Sequence, residues 1–171
     1  MAPPGAQPGG SKYSGSMRLI ALALLSLLLL PINDSRPQTA PAAYDQALKL
    51  FQRGDLVGSQ QIASLGLQRF QSSNPAWAMK LKLVLAKSML YRGMYDDALK
   101  LLSPENEPPN PEDAIQELTI EAVALTRQQK LPAAQQRLSQ AQAICNKADF
   151  ASCGELDTAR AIFRIRQGLI A

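Results

Sequence analysis

The stretch that decides the fold is residues 74–102, NPAWAMKLKLVLAKSMLYRGMYDDALKLL. Asn74 is a residue type that caps helix N-termini, and proline at the next position costs nothing because the first helical N–H has no partner. Apolar residues then recur at three- and four-residue intervals as far as Gly93, and again after it. Since glycine accepts the left-handed backbone that ends a helix, the stretch predicts helices over residues 76–92 and 95–102 with a tight turn between them.

The same pattern of helix, turn and helix occurs on both sides of this stretch. The turns centre on Gly54, Gly93, Gln129 and Gly168, at intervals of 39, 36 and 39 residues. Periods in the thirties with two helices per unit are typical of helical solenoids, in which the stacking of units supplies the core. The sequence therefore predicts an all-α solenoid of about three helical hairpins and one terminal helix, with an irregular helical bundle as the alternative. The other predicted helices cover residues 44–53, 56–70, 112–128, 131–144 and 155–167.

The repeat domain is expected to cover residues 43–171. Its units lie near residues 43–73, 74–109 and 110–147, with an incomplete fourth unit over 152–171.

Small and large residues recur at fixed distances from each turn. In the second unit Ala86 lies seven residues before Gly93, while Tyr95 and Ala98 lie two and five residues after it. This spacing resembles the tetratricopeptide repeat family, in particular exported bacterial proteins with such repeats. Small residues let helix backbones approach while large ones interdigitate. The other units match at Ala122, Leu131 and Ala134, at Ala47 and Leu56, and at Ala161 and Ile170. In the first unit Ser59 stands where the family usually has alanine.

The resemblance implies a protein or peptide partner in a concave groove lined by the first helix of each unit. Because the groove would be mildly basic, the partner is expected to carry acidic groups or a C-terminal carboxylate. Leu83 and Val84 stand at two positions of the family's carboxylate clamp, so that clamp is not expected. The alternative is that these charges form a solvated helix face. The peptide-binding residues that the resemblance implies are Lys80, Lys87, Tyr91, Thr119, Arg127 and Arg166, with Leu83, Leu90, Gln116, Val123 and Thr126 beside them.

An export segment is expected at the N-terminus. The run LIALALLSLLLL over residues 19–30 follows Arg18 and has the length of a signal-peptide core, short of the roughly 20 residues that span a bilayer. Ala40 and Ala42 have the spacing that signal peptidase reads, which would make residues 1–42 a signal with a linker. The alternative is an uncleaved membrane anchor over residues 19–32. Both interpretations place the rest of the chain in the periplasm or outside the cell.

Cys145 and Cys153 flank one short loop. In an oxidising exported setting this arrangement favours a disulfide, against the alternative of two buried free thiols. A zinc site is not expected, because two thiolates in a chain without histidine do not complete a tetrahedral shell.

No motif in the sequence indicates catalysis. The absence of histidine excludes histidine chemistry, and the formal charge of +4 is too small to indicate a nucleic-acid partner. The acidic pairs Asp96–Asp97 and Glu112–Asp113 fall in first helical turns, where the helix dipole favours negative charge. We therefore expect a non-enzymatic exported scaffold for protein–protein interaction with no cofactor. The sequence does not predict its oligomeric state. The alternative is a regulatory or sensory N-terminal arm of a larger protein, such as one carrying a caspase-like peptidase domain.

Overall fold

The computed structural model of the chain describes residues 1, 5, 39–103, 108 and 110–168. The chain divides into two compact units, Met1–Ser35 and Arg36–Ala171. The apolar segment over residues 19–32, predicted to be a signal or an anchor, lies outside the described residues. None of the described helices is long and apolar enough to cross a membrane.

The described part of the chain contains seven α-helices and no strand, which confirms the all-α prediction. Each helix lies where the apolar periodicity predicts one, with ends that differ by at most a few residues. The helices are α1 (Ala40–Gln52), α2 (Leu56–Phe70), α3 (Pro75–Tyr91), α4 (Tyr95–Leu102), α5 (Pro111–Arg127), α6 (Leu131–Cys145) and α7 (Cys153–Arg166).

The first helix begins earlier than the sequence pattern predicts. Its N-cap is Thr39, whose Oγ1 accepts a hydrogen bond from the backbone N–H of Ala42 at 3.3 Å. Proline in the first turn fits this position, since that turn offers no partner for an N–H. Ala40 is buried, so the predicted boundary at residue 43 falls inside the first turn of a packed helix.

The four predicted turns share one backbone conformation. Gly54, Gly93 and Gly168 have φ angles of 81°, 78° and 73°, in the left-handed region. Gln129, the one turn residue with a side chain, has φ 64° at the equivalent position. The turn geometry therefore persists where the glycine is replaced.

The helices pack in an alternating order. Each odd-numbered helix contacts the next odd-numbered helix, so that α1, α3, α5 and α7 are successive neighbours. Each even-numbered helix contacts the odd-numbered helix before it and the one after it. Three hydrophobic clusters among the described residues follow this order, and the buried members of each come from three consecutive helices. They include Leu85 for α1 to α3, Leu102 for α3 to α5 and Leu138 for α5 to α7.

Small residues lie where the paired helices approach. Ala86 on α3 and Ala98 on α4 are completely buried, as the repeat spacing requires. The equivalent positions Ala47, Ser59 and Ala134 are completely buried as well, and Ala122 nearly so. Ala161 on α7 is exposed, because none of the described helices covers that side of α7.

Candidate functional site

Side chains of all four odd-numbered helices meet at one surface, which we call the odd-helix face. It contains a larger cavity of about 400 Å³ and a smaller one of about 220 Å³. Phe51 on α1, Lys87 on α3 and Glu155 on α7 line both cavities. The two cavities are therefore neighbours with a shared boundary.

The larger cavity is mainly apolar. Aromatic and aliphatic side chains form most of its wall, and five polar residues stand among them. The apolar residues are Phe51, Leu90, Tyr91, Tyr95, Ile120, Val123, Ala159 and Ile162, and the polar ones are Lys87, Thr119, Arg127, Glu155 and Thr158.

Tyr91 presents an aromatic ring to solvent beside the larger cavity. Its side chain is 69% exposed, the highest value for a large hydrophobic residue within the helices. The ring of Phe51 packs edge-on against it, with the centroids 5.3 Å apart. An exposed ring that is already held by a neighbour loses little freedom when it binds a partner.

Lys87 and Glu155 form an ion pair between the cavities. Lys87 Nζ lies 2.8 Å from each of the two carboxylate oxygens of Glu155. The pair joins α3 to α7, whose backbones make no contact, and so it passes over α5. It neutralises the charge of Lys87 within the odd-helix face.

Two other polar groups of the larger cavity have no partner. Arg127 is exposed at the end of α5, and none of the described carboxylates pairs with it. Thr119 is 6% exposed, and its Oγ1 has no hydrogen-bond partner among the described residues. A buried hydroxyl without a partner carries a desolvation cost of about 1–3 kcal/mol.

The smaller cavity has a more polar lining. Tyr44 lines it and packs against Trp77 with the ring centroids 5.6 Å apart, and Lys80 Nζ lies 6.0 Å from the Trp77 ring. Burial raises the pKa of the Tyr44 hydroxyl, and the nearby carboxylates of Asp45, Asp113 and Glu155 raise it further. Of these carboxylates, Asp113 and Glu155 line the smaller cavity.

The structure places five of the six predicted peptide-binding residues on the odd-helix face. Lys80 and Lys87, together with Tyr91, Thr119 and Arg127, line one cavity or the other. Arg166 lies apart from these five: it is exposed in the last turn of α7 and lines neither cavity. The reason is that α7 reaches the larger cavity only with its first turns, as far as Ile162.

Of the neighbouring residues expected in the groove, one turns away from it. Thr126 is completely buried, and its hydroxyl donates to the carbonyl oxygen of Ala122 at 2.7 Å. The remaining four line a cavity: Leu83, Leu90, Gln116 and Val123.

Phe51 and Glu155 are site residues that the sequence reasoning missed. Glu155 pairs with a residue 68 positions away, and no local spacing reports such a contact. Phe51 lies three residues before Gly54, where the second unit has Leu90 three before Gly93. That equivalence between units is the signal that could have identified it.

A row of acidic side chains on α5 is buried away from the larger cavity. Asp113, Glu117 and Glu121 follow one another at four-residue spacing and therefore share one side of the helix. Glu121 pairs with Arg137 Nε at 3.0 Å, yet burial still raises the pKa of its carboxyl. Burial raises the pKa of Glu117 to about 7, although Lys82 acts in the opposite direction.

The Glu117 carboxyl is the least satisfied member of this row. Its Oε2 has no hydrogen-bond partner. No group of acids and cysteines within the described ranges is arranged to hold a metal ion.

A disulfide joins Cys145 to Cys153, with their Cα atoms 6.0 Å apart. It connects the last residue of α6 to the first residue of α7, two positions before Glu155. Two hydrogen bonds fix the same corner to α5. Gln116 Nε2 lies 3.3 Å from Ser152 Oγ, and the backbone N–H of Ala151 donates to Glu112 Oε1 at 3.1 Å. The start of α7, and with it Glu155, is therefore held in place from two sides.

No protein-family model, no curated protein and no solved structure matches this chain.

Proposed function

We propose that this chain is a non-enzymatic, exported helical-repeat scaffold that binds another protein through its odd-helix face. The observation that carries the proposal is the convergence of α1, α3, α5 and α7 on that face around the exposed ring of Tyr91. Exposed aromatic side chains beside an apolar pocket are typical of protein-binding surfaces, because they supply large contact area at low entropic cost.

A tetratricopeptide-like solenoid is the arrangement that we propose for the repeat units. Supporting it are the alternating contacts of odd and even helices and the equivalent turns at Gly54, Gly93, Gln129 and Gly168. In a stack of this kind the first helices of successive units form one continuous surface. The odd-helix face is then the concave surface that a partner segment would follow.

Export is part of the proposal because two observations favour it. The apolar run over residues 19–30 has the length of a signal-peptide core. The disulfide between Cys145 and Cys153 fits a compartment in which thiols become oxidised.

Site-specific photocrosslinking tests the interaction. The full chain would carry p-benzoylphenylalanine in place of Tyr91, or in place of Gln135 as a matched control. Gln135 is also exposed but lies on α6, an even-numbered helix. The variants would be irradiated in the source cells, and the adducts identified by mass spectrometry.

The expected result is one recurrent protein adduct from position 91 and none from position 135. The adduct should disappear when the unlabelled chain is added in excess. The same adducts from both positions, or no adduct from position 91, would contradict binding through the odd-helix face.

A further inference from the structure

We propose that the larger cavity receives a large apolar side chain of the partner, and that Arg127 pairs with a single carboxylate next to it. This inference rests on the proposed function and specifies the chemistry of the partner segment. The partner would be apolar with one acidic group, rather than a run of acidic residues.

The volume and the lining of the cavity determine the apolar part. A cavity of about 400 Å³ falls within the range of about 300–1,000 Å³ that ligand pockets occupy. Leu90, Val123 and Ile162 line it from three different odd-numbered helices, with Tyr91 at its exposed side. Aliphatic walls and an exposed ring favour an aromatic or branched aliphatic side chain, whose burial would displace water from both surfaces.

The charges of the odd-helix face argue against a strongly acidic partner. Lys87 already has Glu155 at 2.8 Å, so an anion at Lys87 would have to displace a carboxylate of the chain itself. Lys80 lines the smaller cavity with its Nζ near the ring of Trp77, and the Asp113 carboxylate lines the same cavity. A run of acids crossing both cavities would therefore meet the Asp113 carboxylate and a Lys87 whose charge Glu155 already balances.

Arg127 is the cation of the larger cavity that remains for a ligand. It lines the larger cavity, is exposed, and has no ion-pair partner in the part of the chain that the structure describes. A guanidinium offers a carboxylate two parallel hydrogen bonds, which fixes direction as well as charge. The guanidinium therefore selects a carboxylate next to the apolar anchor.

Selection from a random heptapeptide library tests this chemistry without a known ligand. The full chain would be immobilised, bound peptides sequenced, and the most enriched peptide synthesised with a fluorescent label. Its dissociation constant would be measured by fluorescence anisotropy, alongside matched peptides in which the acid is replaced by its amide or the apolar residue by alanine.

Two exposed positions allow variants that leave the core intact. Arg127→Gln removes the cation, and Thr158→Trp fills the larger cavity from α7. Their matched controls are Arg166→Gln and Asp157→Trp, since both residues are exposed on α7 and line neither cavity. Circular dichroism would establish that all four variants have the same helix content as the unmodified chain.

The expected consensus is a large apolar residue beside one Asp or Glu. Arg127→Gln and Thr158→Trp should each weaken binding about tenfold or more, a change of about 1.4 kcal/mol, while the two controls stay within twofold. The amide peptide should bind the unmodified chain more weakly than the acidic peptide does. The two peptides should bind the Arg127→Gln variant equally well.

Failure of this inference differs from failure of the proposed function. A Tyr91→Ala variant shows whether a peptide binds at the odd-helix face. Peptides that this variant no longer binds, but that are polyacidic or are insensitive to Arg127→Gln and Thr158→Trp, would overturn the inference and leave the binding face standing. Absence of any enriched peptide that depends on Tyr91 would overturn both.

Discussion

Lys87 on α3 and Glu155 on α7 form an ion pair, although the backbones of these two helices do not touch. Lys87 Nζ lies 2.8 Å from both carboxylate oxygens, and the two side chains are 21% and 43% exposed. The pair passes over α5 and forms part of the wall of both cavities. It therefore connects non-adjacent helices of the odd-helix face and balances the charge of Lys87 on that face.

The Lys87–Glu155 pair should contribute little to the free energy of unfolding. Partly exposed ion pairs are screened by solvent, and measured values lie at about 0.2–1 kcal/mol. We expect a double-mutant cycle with Lys87→Met and Glu155→Gln, measured by urea denaturation, to give a coupling within that range. The matched cycle is Asp157 with Arg160, a more exposed pair at 3.8 Å, which should show no measurable coupling. A coupling above about 2 kcal/mol for Lys87–Glu155 would mean that the pair is a main tie between α3 and α7.

Replacing Gln129 by glycine should stabilise the chain. Gln129 has φ 64°, where a side chain is crowded and glycine is not. Glycine also costs more backbone entropy on folding, so the expected net gain is about 0.5–1 kcal/mol in the free energy of unfolding.

Two glycine variants provide the comparison, with denaturation by urea as the measurement. Gly93→Ala should lose about 1 kcal/mol or more, because φ is 78° there. Gly154→Ala should lose nothing, because a Cβ at that position meets open space in a helical backbone. Gln129→Gly would count against this explanation of the turns if it destabilised the chain.

The sequence predicts the helices well because its signals are local. Apolar periodicity, the Asn–Pro starts and the turn glycines each act within one or two helical turns. The same signals find the turn at Gln129 only through the repeat period, since no glycine marks it. They set the first helix too late, because Thr39 as a cap and proline in the first turn read equally well as part of a linker.

The site is only partly predictable for a related reason. The resemblance of the repeat pattern to a known family implied Lys87, Tyr91 and Arg127 as binding residues, and all three lie on the odd-helix face. Their charges, however, depend on pairing between units, and the contact of Lys87 with Glu155 has no local signature. In the larger cavity Lys87 is paired with Glu155, while Arg127 has no ion-pair partner among the described residues.

Removing the disulfide should destabilise the chain. The bond between Cys145 and Cys153 closes a loop with a sequence separation of 8, for which the chain-entropy relation gives about 2–3 kcal/mol. We expect the Cys145→Ser/Cys153→Ser variant, and the reduced chain, to lose this amount of unfolding free energy in urea. A dithiol reductant should have no effect on the double variant, which serves as the control. A loss below about 0.5 kcal/mol would show that the hydrogen bonds of Ala151 and Ser152 suffice to hold the start of α7.

The buried Glu117 carboxyl should make the chain less stable as the pH rises from 4.5 towards 7. Its pKa is about 7 in the folded chain against 4.5 as the reference, so between these values the folded state binds a proton that the unfolded state has lost. Stability therefore falls as the pH rises through this window, and above pH 7 the folded chain holds an ionised, buried carboxylate.

Glu117→Gln removes the titration, and we expect it to raise the free energy of unfolding at pH 8 by about 1–2 kcal/mol after allowance for partial solvation. At pH 4.5 the variant and the unmodified chain should be nearly equal. Urea denaturation at both pH values measures the difference, with exposed Asp157→Asn as the control that should show none. An equal effect of Glu117→Gln at both pH values would contradict the raised pKa and leave only a change in packing.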